Sequence, residues 1–343
     1  MSKRLQICIV GAGLLGLVCG RRLAKLGFSV QIVEQHSVAG GMLATTRFGE
    51  EYIELLPHHI RRQDRHMIDL FHDLNMQADL EWFDAYWYGR VRKRKLGYPK
   101  KGFHSFLSAI ERDIENHEGT ISYGYTVMDI RQTSTAPDKH QVSCVLENGK
   151  TVDIEADIVL FTASCRNFAH ITNNLQLPTD YRDPLMDVSY QGNICLLLLS
   201  KIHLSECYSK PLLTTTPFQK MIEHTNLVGG RQYNGHVLYL TGLISPSDPL
   251  WTKSDADVYK ICFSQLNKLI PTLKKSSVLT WRLTRTRYAM PFSRAANDLM
   301  ETQDGLYLCS MAMSGTDYLE YRMDNVVEKA FEICSLIEKK YKG

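Results

Sequence analysis

Three glycines constrain this chain more than any other feature. Gly11, Gly13 and Gly16 stand at G-x-G-x-x-G spacing inside "IVGAGLLGLVCGRRLAKLGFSVQIVE", residues 9–34. Ile7, Cys8, Ile9 and Val10 precede them as the apolar run of a buried parallel strand. The first glycine permits a tight turn, the second lets the backbone approach a pyrophosphate, and the third lets helix and strand pack closely. The helix that follows presents unpaired N–H groups and a positive dipole end at its start. Its inward stripe is expected to be Leu17, Leu23 and Leu26, with Gly27 closing it. A second apolar strand, Val30 to Val33, ends at Glu34. A carboxylate there accepts from a ribose diol and repels a 2′-phosphate, so the unit predicts FAD or NAD rather than NADP. Lys3 and Arg4 before an apolar run also resemble a secretion signal, but cleavage near Gly20 would delete the first strand of a complete unit.

With 343 residues the chain has room for two interlocked domains. The run "ICLLLLS" at 194–200 has the length of a buried strand, not of a membrane span. A net charge of +3 gives no ground for a nucleic-acid partner. The nine cysteines are scattered, with no C-x-x-C pair. They read as free thiols of a reducing compartment, so the expected location is cytoplasmic and no metal site is expected.

Further along, Gly40–Gly41 opens a turn, and Met67, Ile68, Leu70, Phe71 and Leu74 mark a helical stretch within 58–76. Residues 80–102 join an aromatic cluster to a dense basic run, and 103–119 reads as an amphipathic helix stopping at Gly119. Three strand candidates follow: "TISYGYTVMDIRQ", "HQVSCVLENGKTVDIE" with a hairpin turn at Asn148–Gly149, and "ADIVLFTAS". The last segment is a strand, a glycine-bearing loop and a long helix. Helix and strand signals alternate, which predicts an α/β chain.

In this order of pieces the chain resembles the flavin-dependent amine oxidase superfamily, which includes protoporphyrinogen oxidases, phytoene-type desaturases and UDP-galactopyranose mutases. The likeness rests on the fingerprint ending at Glu34, on Gly40–Gly41, on "GYPKKGFHSFLSAIERDIENHEGTISYGYTVMDI" and on the C-terminal strand, loop and helix. The stretch "ELLPHHIRRQDRHMIDLFHDLNMQADLEW" also resembles protoporphyrinogen-oxidase-like proteins. The resemblance implies a doubly wound, Rossmann-like FAD-binding domain with an inserted three-strand meander, and a second, smaller α+β substrate domain. The expected boundaries are 1–70, 98–180 and 296–343 for the first, and 71–97 and 181–295 for the second. FAD contacts are implied at Gly11, Gly13, Gly16, Glu34, Gly40, Gly41, Met42, Val127, Met323 and Asp324. Two departures stand out. Met42 replaces an arginine found in many members, and Ser310 and Met311 occupy the positions of a Gly-Asp pair whose carboxylate contacts the flavin's ribityl or phosphate region.

With one dinucleotide fingerprint and no other catalytic motif, FAD is expected to carry the chemistry while the protein orients it. The leading acid/base candidates are His58 and His59, and the second-rank ones are Arg287 and Tyr288 in "RLTRTRYAMPF". Arg61 and Arg62 could clamp a substrate anion, and Trp82, Tyr86, Trp87 and Tyr88 could line an apolar pocket. The basic run 90–101 suggests an anionic substrate or peripheral contact with an anionic membrane. The expected activity is hydride removal from a C–N or C–C bond of a largely apolar small molecule. The alternatives are a mutase using reduced flavin without net redox, and a degenerate flavin-holding protein.

Overall fold

The computed structural model describes residues 4–133, 139–175, 177–212, 217–291, 301–313 and 322–342. Strand β1 (Gln6–Val10) is buried from Ile7 to Val10. The reason is that both of its faces are covered. On one face Ile9 meets helix α1 (Leu14–Lys25): a Cβ on Gly20 would stand 3.6 Å from Ile9 Cδ1 and 2.5 Å from Ile32 Cδ1. On the other, Cys8 lies against Cys144 of the inserted meander. A strand enclosed in this way reads as a continuous apolar run rather than as an alternation.

The central sheet runs, in spatial order, Glu301–Gln303, Leu306–Leu308, Ile158–Phe161, β1, β2 (Ser29–Glu34) and Thr120–Tyr123. Its pairings are parallel from Leu306–Leu308 to Thr120–Tyr123, and Glu301–Gln303 is an antiparallel edge. The parallel Rossmann-type sheet of an α/β protein is thus present. Where the sequence offers three strand candidates the structure has five strands, because the first candidate breaks at Gly124 and the second at its hairpin turn. The first and last, Thr120–Tyr123 and Ile158–Phe161, join the parallel sheet. Between them Tyr125–Gln132, His140–Leu146 and Thr151–Ala156 form the antiparallel meander. Its second turn holds Gly149 at φ +79°, with Gly149 N–H donating to Leu146 O over 2.8 Å.

The expected stripe on α1 understates its burial. Ten of its twelve residues are buried, Arg21 among them, whereas Leu26 lies outside the helix as its C-cap. The C-terminal helix Met323–Lys342 packs along α1: Cys334 Sγ–H approaches Cys19 O at 3.8 Å, and the Arg22 guanidinium stands 5.1 Å over the Phe331 ring. Arg21 Nε donates to Asp113 Oδ2 at 2.6 Å, tying α1 to helix Gly102–Asn116. Each fully buried leucine of α1, such as Leu17 or Leu23, contributes roughly 1.5–3 kcal/mol.

Two compact units divide the chain: 1–41, 106–189 and 291–343 form the first, and 42–105 and 190–290 the second. This partition gives 42–70 and 98–105 to the second unit, where the sequence reading gave them to the first. The expected boundary at 296 lies outside the described residues. The second unit is built on an antiparallel sheet in the order Ser209–Pro211, Lys220–Glu223, His236–Ile244, Tyr190–Ser200, Val278–Pro291. Its core joins Ile194, Leu196, Leu198, Leu238 and Leu240 to Val258, Phe263 and Leu266 of helix Asp255–Leu269. Arg65–Asp73 is the helix read within 58–76, with Met67, Leu70 and Phe71 buried. Among the described residues, no helix is long and apolar enough to cross a membrane.

Candidate functional site

Beyond Val10 the chain turns at Gly11, where φ is +104°. A Cβ at Gly11 would stand 2.9 Å from Thr162 Oγ1, and one at Gly16 would stand 1.9 Å from Gly11 O. The fold itself therefore demands these two glycines. Gly13 is different. The nearest atom to a Cβ there is Gly41 Cα at 4.0 Å, and φ −67° with ψ 173° suits any residue. It is the N-cap of α1 and offers no side-chain cap, so the N–H groups of the first turn remain available. The second glycine pair docks on this turn: Gly40 N–H donates to Ala12 O at 2.8 Å, and Gly13 and Gly40 form a parallel bridge. Gly40 and Gly41 both have positive φ, +113° and +57°. Thr162 Oγ1–H donates to Val10 O at 2.8 Å and bears on the turn from behind, a role with no local sequence signal.

Glu34, at the end of β2, is 7% exposed and already oriented. Its Oε2 accepts from Ala12 N–H at 2.8 Å, and its Oε1 accepts from His36 N–H at 2.9 Å and lies 2.8 Å from His36 Nδ1. Burial opposes ionisation, but the hydrogen bonds from His36 and Ala12 outweigh it and hold the carboxyl below its ordinary value. The same pairing raises His36 against the effect of its partial burial. A carboxylate accepts about four hydrogen bonds, so three contacts leave one acceptor site for a ribose hydroxyl. His36 was absent from the sequence reading because its part appears only when β2 and the turn after it are placed.

The other implied contacts distribute as follows. Val127 is half-buried on the first meander strand, and Gly124 N–H donates to His36 O at 3.2 Å, joining that strand's start to the end of β2. Ser310 is buried, and its Oγ accepts weakly from Ala312 N–H at 3.4 Å; no carboxylate stands there. Met323 and Asp324 are buried in the first turn of the C-terminal helix. Asp324 lies inside that turn and is not its N-cap, where it complements the helix dipole. Met42 follows Gly41 in a short 3-10 turn at the start of the second unit. A pyrophosphate and a ribose hydroxyl fit the turn at Gly11–Gly13: glycine backbones in mutual contact, an uncapped helix start and an ionised, oriented carboxylate. Among the described residues, no side chain lies within 4 Å of a Cβ built on Gly13.

The four acid/base candidates occupy the second unit and do not share one environment. His58 is buried, with Nδ1 2.8 Å from Leu56 O, and burial pushes it down to about 4. It is neutral throughout the physiological range, so it is not poised for proton transfer near pH 7. Its neighbour His59 is half-buried, with Nδ1 3.1 Å from Tyr208 Oη. Arg287 is exposed on strand Val278–Pro291, its guanidinium 5.6 Å over the Trp251 ring. Tyr288 points to the other face of that strand and meets Tyr190 edge-on at 5.5 Å. Arg62 stacks over Trp82 at 3.9 Å.

A family model for flavin containing amine oxidoreductases matches residues 81–335, and one for an NAD(P)-binding Rossmann-like domain matches 9–74. The chain belongs to the flavin-containing amine oxidoreductase family. Membership makes FAD the cofactor of this chain. A flavin-dependent L-tryptophan oxidase of Lentzea aerocolonigenes is 35% identical over 82 residues, which is 23% of this chain and 17% of that relative. Two solved structures share the fold. One is described as a candidate protoporphyrinogen oxidase from Exiguobacterium sp. 255-15, with TM-score 0.78, 13% identity and coverage of 99% of this chain and 100% of that one. The other is an oxidoreductase from Methanosarcina mazei, with TM-score 0.65, 14% identity and coverage of 96% and 100%.

In this flavoprotein the second unit also holds a polar network that the sequence reading missed. Glu54 is 1% exposed and accepts from Tyr98 Oη–H at 2.8 Å and from Phe103 N–H at 2.8 Å, at the start of helix Gly102–Asn116. Tyr239 Oη–H donates to Glu54 O at 2.8 Å, and His224 lies edge-on between Tyr98 and Tyr239, at 4.7 and 6.1 Å. Burial pushes the Glu54 carboxyl up to about 7 and the His224 imidazole down to about 3. The unit thus concentrates aromatic surface around titratable groups held near neutrality.

Proposed function

We propose that this oxidoreductase removes hydride from a C–N or C–C bond of a largely apolar small molecule. The observation that carries the reading is the aromatic, low-charge interior of the second unit, where burial keeps His58 and His224 uncharged. When bound, FAD supplies the hydride acceptor, so the protein need not provide a charged acid or base. The chain's part is to hold the dinucleotide through Gly11, Gly13, Gly40, Gly41 and Glu34, and to offer a water-poor surface to the substrate. The name of the tryptophan oxidase and that of the family favour a C–N bond and an aromatic amine or amino acid. The test is anaerobic mixing of the purified holoenzyme with aromatic amines, amino acids and apolar alicyclic compounds. Loss of the oxidised flavin absorbance with one of these classes supports the reading. No loss with any of them, together with interconversion of a nucleotide sugar by dithionite-reduced protein, replaces it with the mutase reading.

A partner reading accompanies it. Arg90, Arg92, Lys93, Arg94, Lys95, Lys100 and Lys101 are all exposed, and Val91 between them is 99% exposed. Lys93 and Arg94 lie over the rings of Tyr86 and Trp87, at 4.9 and 5.4 Å. A surface alternating cations with aromatic rings and an exposed valine favours an anionic lipid headgroup region or an anionic substrate.

A further inference from the structure

Far from the glycine cradle in sequence, three side chains of the second unit converge at one end of its antiparallel sheet. Glu223 ends the strand Lys220–Glu223, His236 begins the strand His236–Ile244, and His203 lies just beyond the strand Tyr190–Ser200. Register brings them together. Glu223 pairs with Leu238 and Ser200 with His236, so Glu223 and His236 sit on one sheet face as diagonal neighbours. The Glu223 side chain is fully buried, and its Oε1 lies 3.5 Å from His203 Nε2 and 3.5 Å from His236 Nδ1. One donor atom from each of the three residues falls within 4.8 Å of the others.

We propose that His203, Glu223 and His236 form a binding site for one divalent transition-metal ion of the zinc type. Metal–ligand bonds of about 2.0–2.2 Å in tetrahedral geometry place donor atoms about 3.3–3.6 Å apart, and both glutamate–histidine separations meet that spacing. Two imidazoles and one carboxylate suit zinc better than calcium or magnesium, which favour oxygen donors. The charge pattern points the same way. Glu223 is a buried carboxyl that also accepts from Leu204 N–H at 3.1 Å and from the Ser205 backbone, with Glu206 as a further acidic neighbour, and no Lys or Arg is among its described ion-pair partners. A cation between the three groups supplies the missing counter-charge. Both imidazoles are 35% exposed, which leaves an entry path and a fourth position for water. His203 Nε2 lies 2.8 Å from Asn226 Oδ1 and 3.5 Å from Glu223. On metal binding through Nε2 the ring carries its proton on Nδ1, 3.5 Å from the Glu206 carboxylate. The ion pins the loop after Ser200 to the two strands that carry Glu223 and His236.

The sequence reading expected no metal because these three residues are spaced by 20 and 13 positions and match no ligand motif. The site is independent of the hydride-transfer reading. Its test is calorimetric titration of chelator-treated holoprotein with Zn²⁺ alone. The expected result is one saturable equivalent per chain and a raised Tm. His203→Gln and His236→Gln, both at half-exposed positions, each lower that affinity about 10-fold or more with flavin content unchanged. Absence of a saturable equivalent, or an affinity in both variants equal to that of wild type, overturns the proposal. Should a variant lose flavin content, the wild-type stoichiometry and the Zn²⁺-dependent Tm rise decide alone.

Discussion

Two glycines of one motif answer to different constraints. Gly16 is fixed by packing, since a methyl group there would collide with Gly11 O, whereas among the described residues a methyl group on Gly13 would meet only Gly41 Cα, at 4.0 Å. Gly13→Val is therefore expected to fold and to purify without FAD, because its side chain fills the room a pyrophosphate needs. Gly16→Ala is expected to lose stability whether or not FAD is present. Flavin absorbance together with the melting curve of each variant separates the two effects; a yellow Gly13→Val protein would refute the assignment. Glu34 is ionised and aimed before any ligand arrives, so its contribution is not spent on reorganisation. Glu34→Ala is expected to weaken FAD by roughly 1–3 kcal/mol, the range for leaving polar hydroxyls without a charged acceptor. Calorimetry of FAD rebinding to deflavinated protein measures it.

At the scale of elements, helix Gly102–Asn116 begins on a buried carboxylate that lies 48 positions earlier in the chain than its first residue. Glu54 satisfies the Phe103 N–H and the positive helix end, yet burial pushes its carboxyl from 4.5 up to about 7. A raised acid pKa means the folded form holds the proton more tightly than the unfolded one. The resulting stability is fully present below about pH 4.5 and is lost as the pH rises through about 7. The loss is roughly 3 kcal/mol. Glu54→Gln, which cannot ionise, is expected to gain relative to wild type by that amount between about pH 4 and pH 8 in urea unfolding. A constant difference between the two proteins would place the titration elsewhere. The basic segment gives a second expectation at this scale. Full-length protein should float with vesicles containing anionic lipid and not with neutral ones, and the retention should fall with added salt. Equal retention on both would discard the lipid reading in favour of an anionic substrate.

For the whole molecule, FAD acts as a ligand of the folded state alone. Removing it from protein that holds a 1,000-fold excess over Kd is expected to lower the unfolding free energy by about 4 kcal/mol. Deflavinated wild type and Gly13→Val should then melt together, which differential scanning calorimetry can check. The proposed redox role adds one further expectation: the enzyme purifies with its flavin oxidised, and nucleotide sugars do not perturb its spectrum. A protein isolated with reduced flavin that shifts on adding a nucleotide sugar would favour the mutase reading.

The cradle was legible in the sequence because its determinants are local. Strand, turn, helix, second strand and Glu34 all lie within the first 34 residues, and each is set by steric or dipolar rules that act over one or two turns of chain. The buried strand at 194–200 was legible for a similar reason, since enclosure on both faces leaves a continuous apolar run. Other features were decided only by the tertiary structure. Pairing across the sheets brings Thr162 behind Gly11, Glu54 to the start of a distant helix, and His203, Glu223 and His236 to one point. Local pattern carries no record of such meetings. Ionisation was equally out of reach: His58 and His59 are adjacent in sequence, yet His58 is sealed in the core, held neutral, while His59 is half-exposed beside a tyrosine. A side chain's charge depends on the water and the partners around it, and these are fixed only when remote segments close over it.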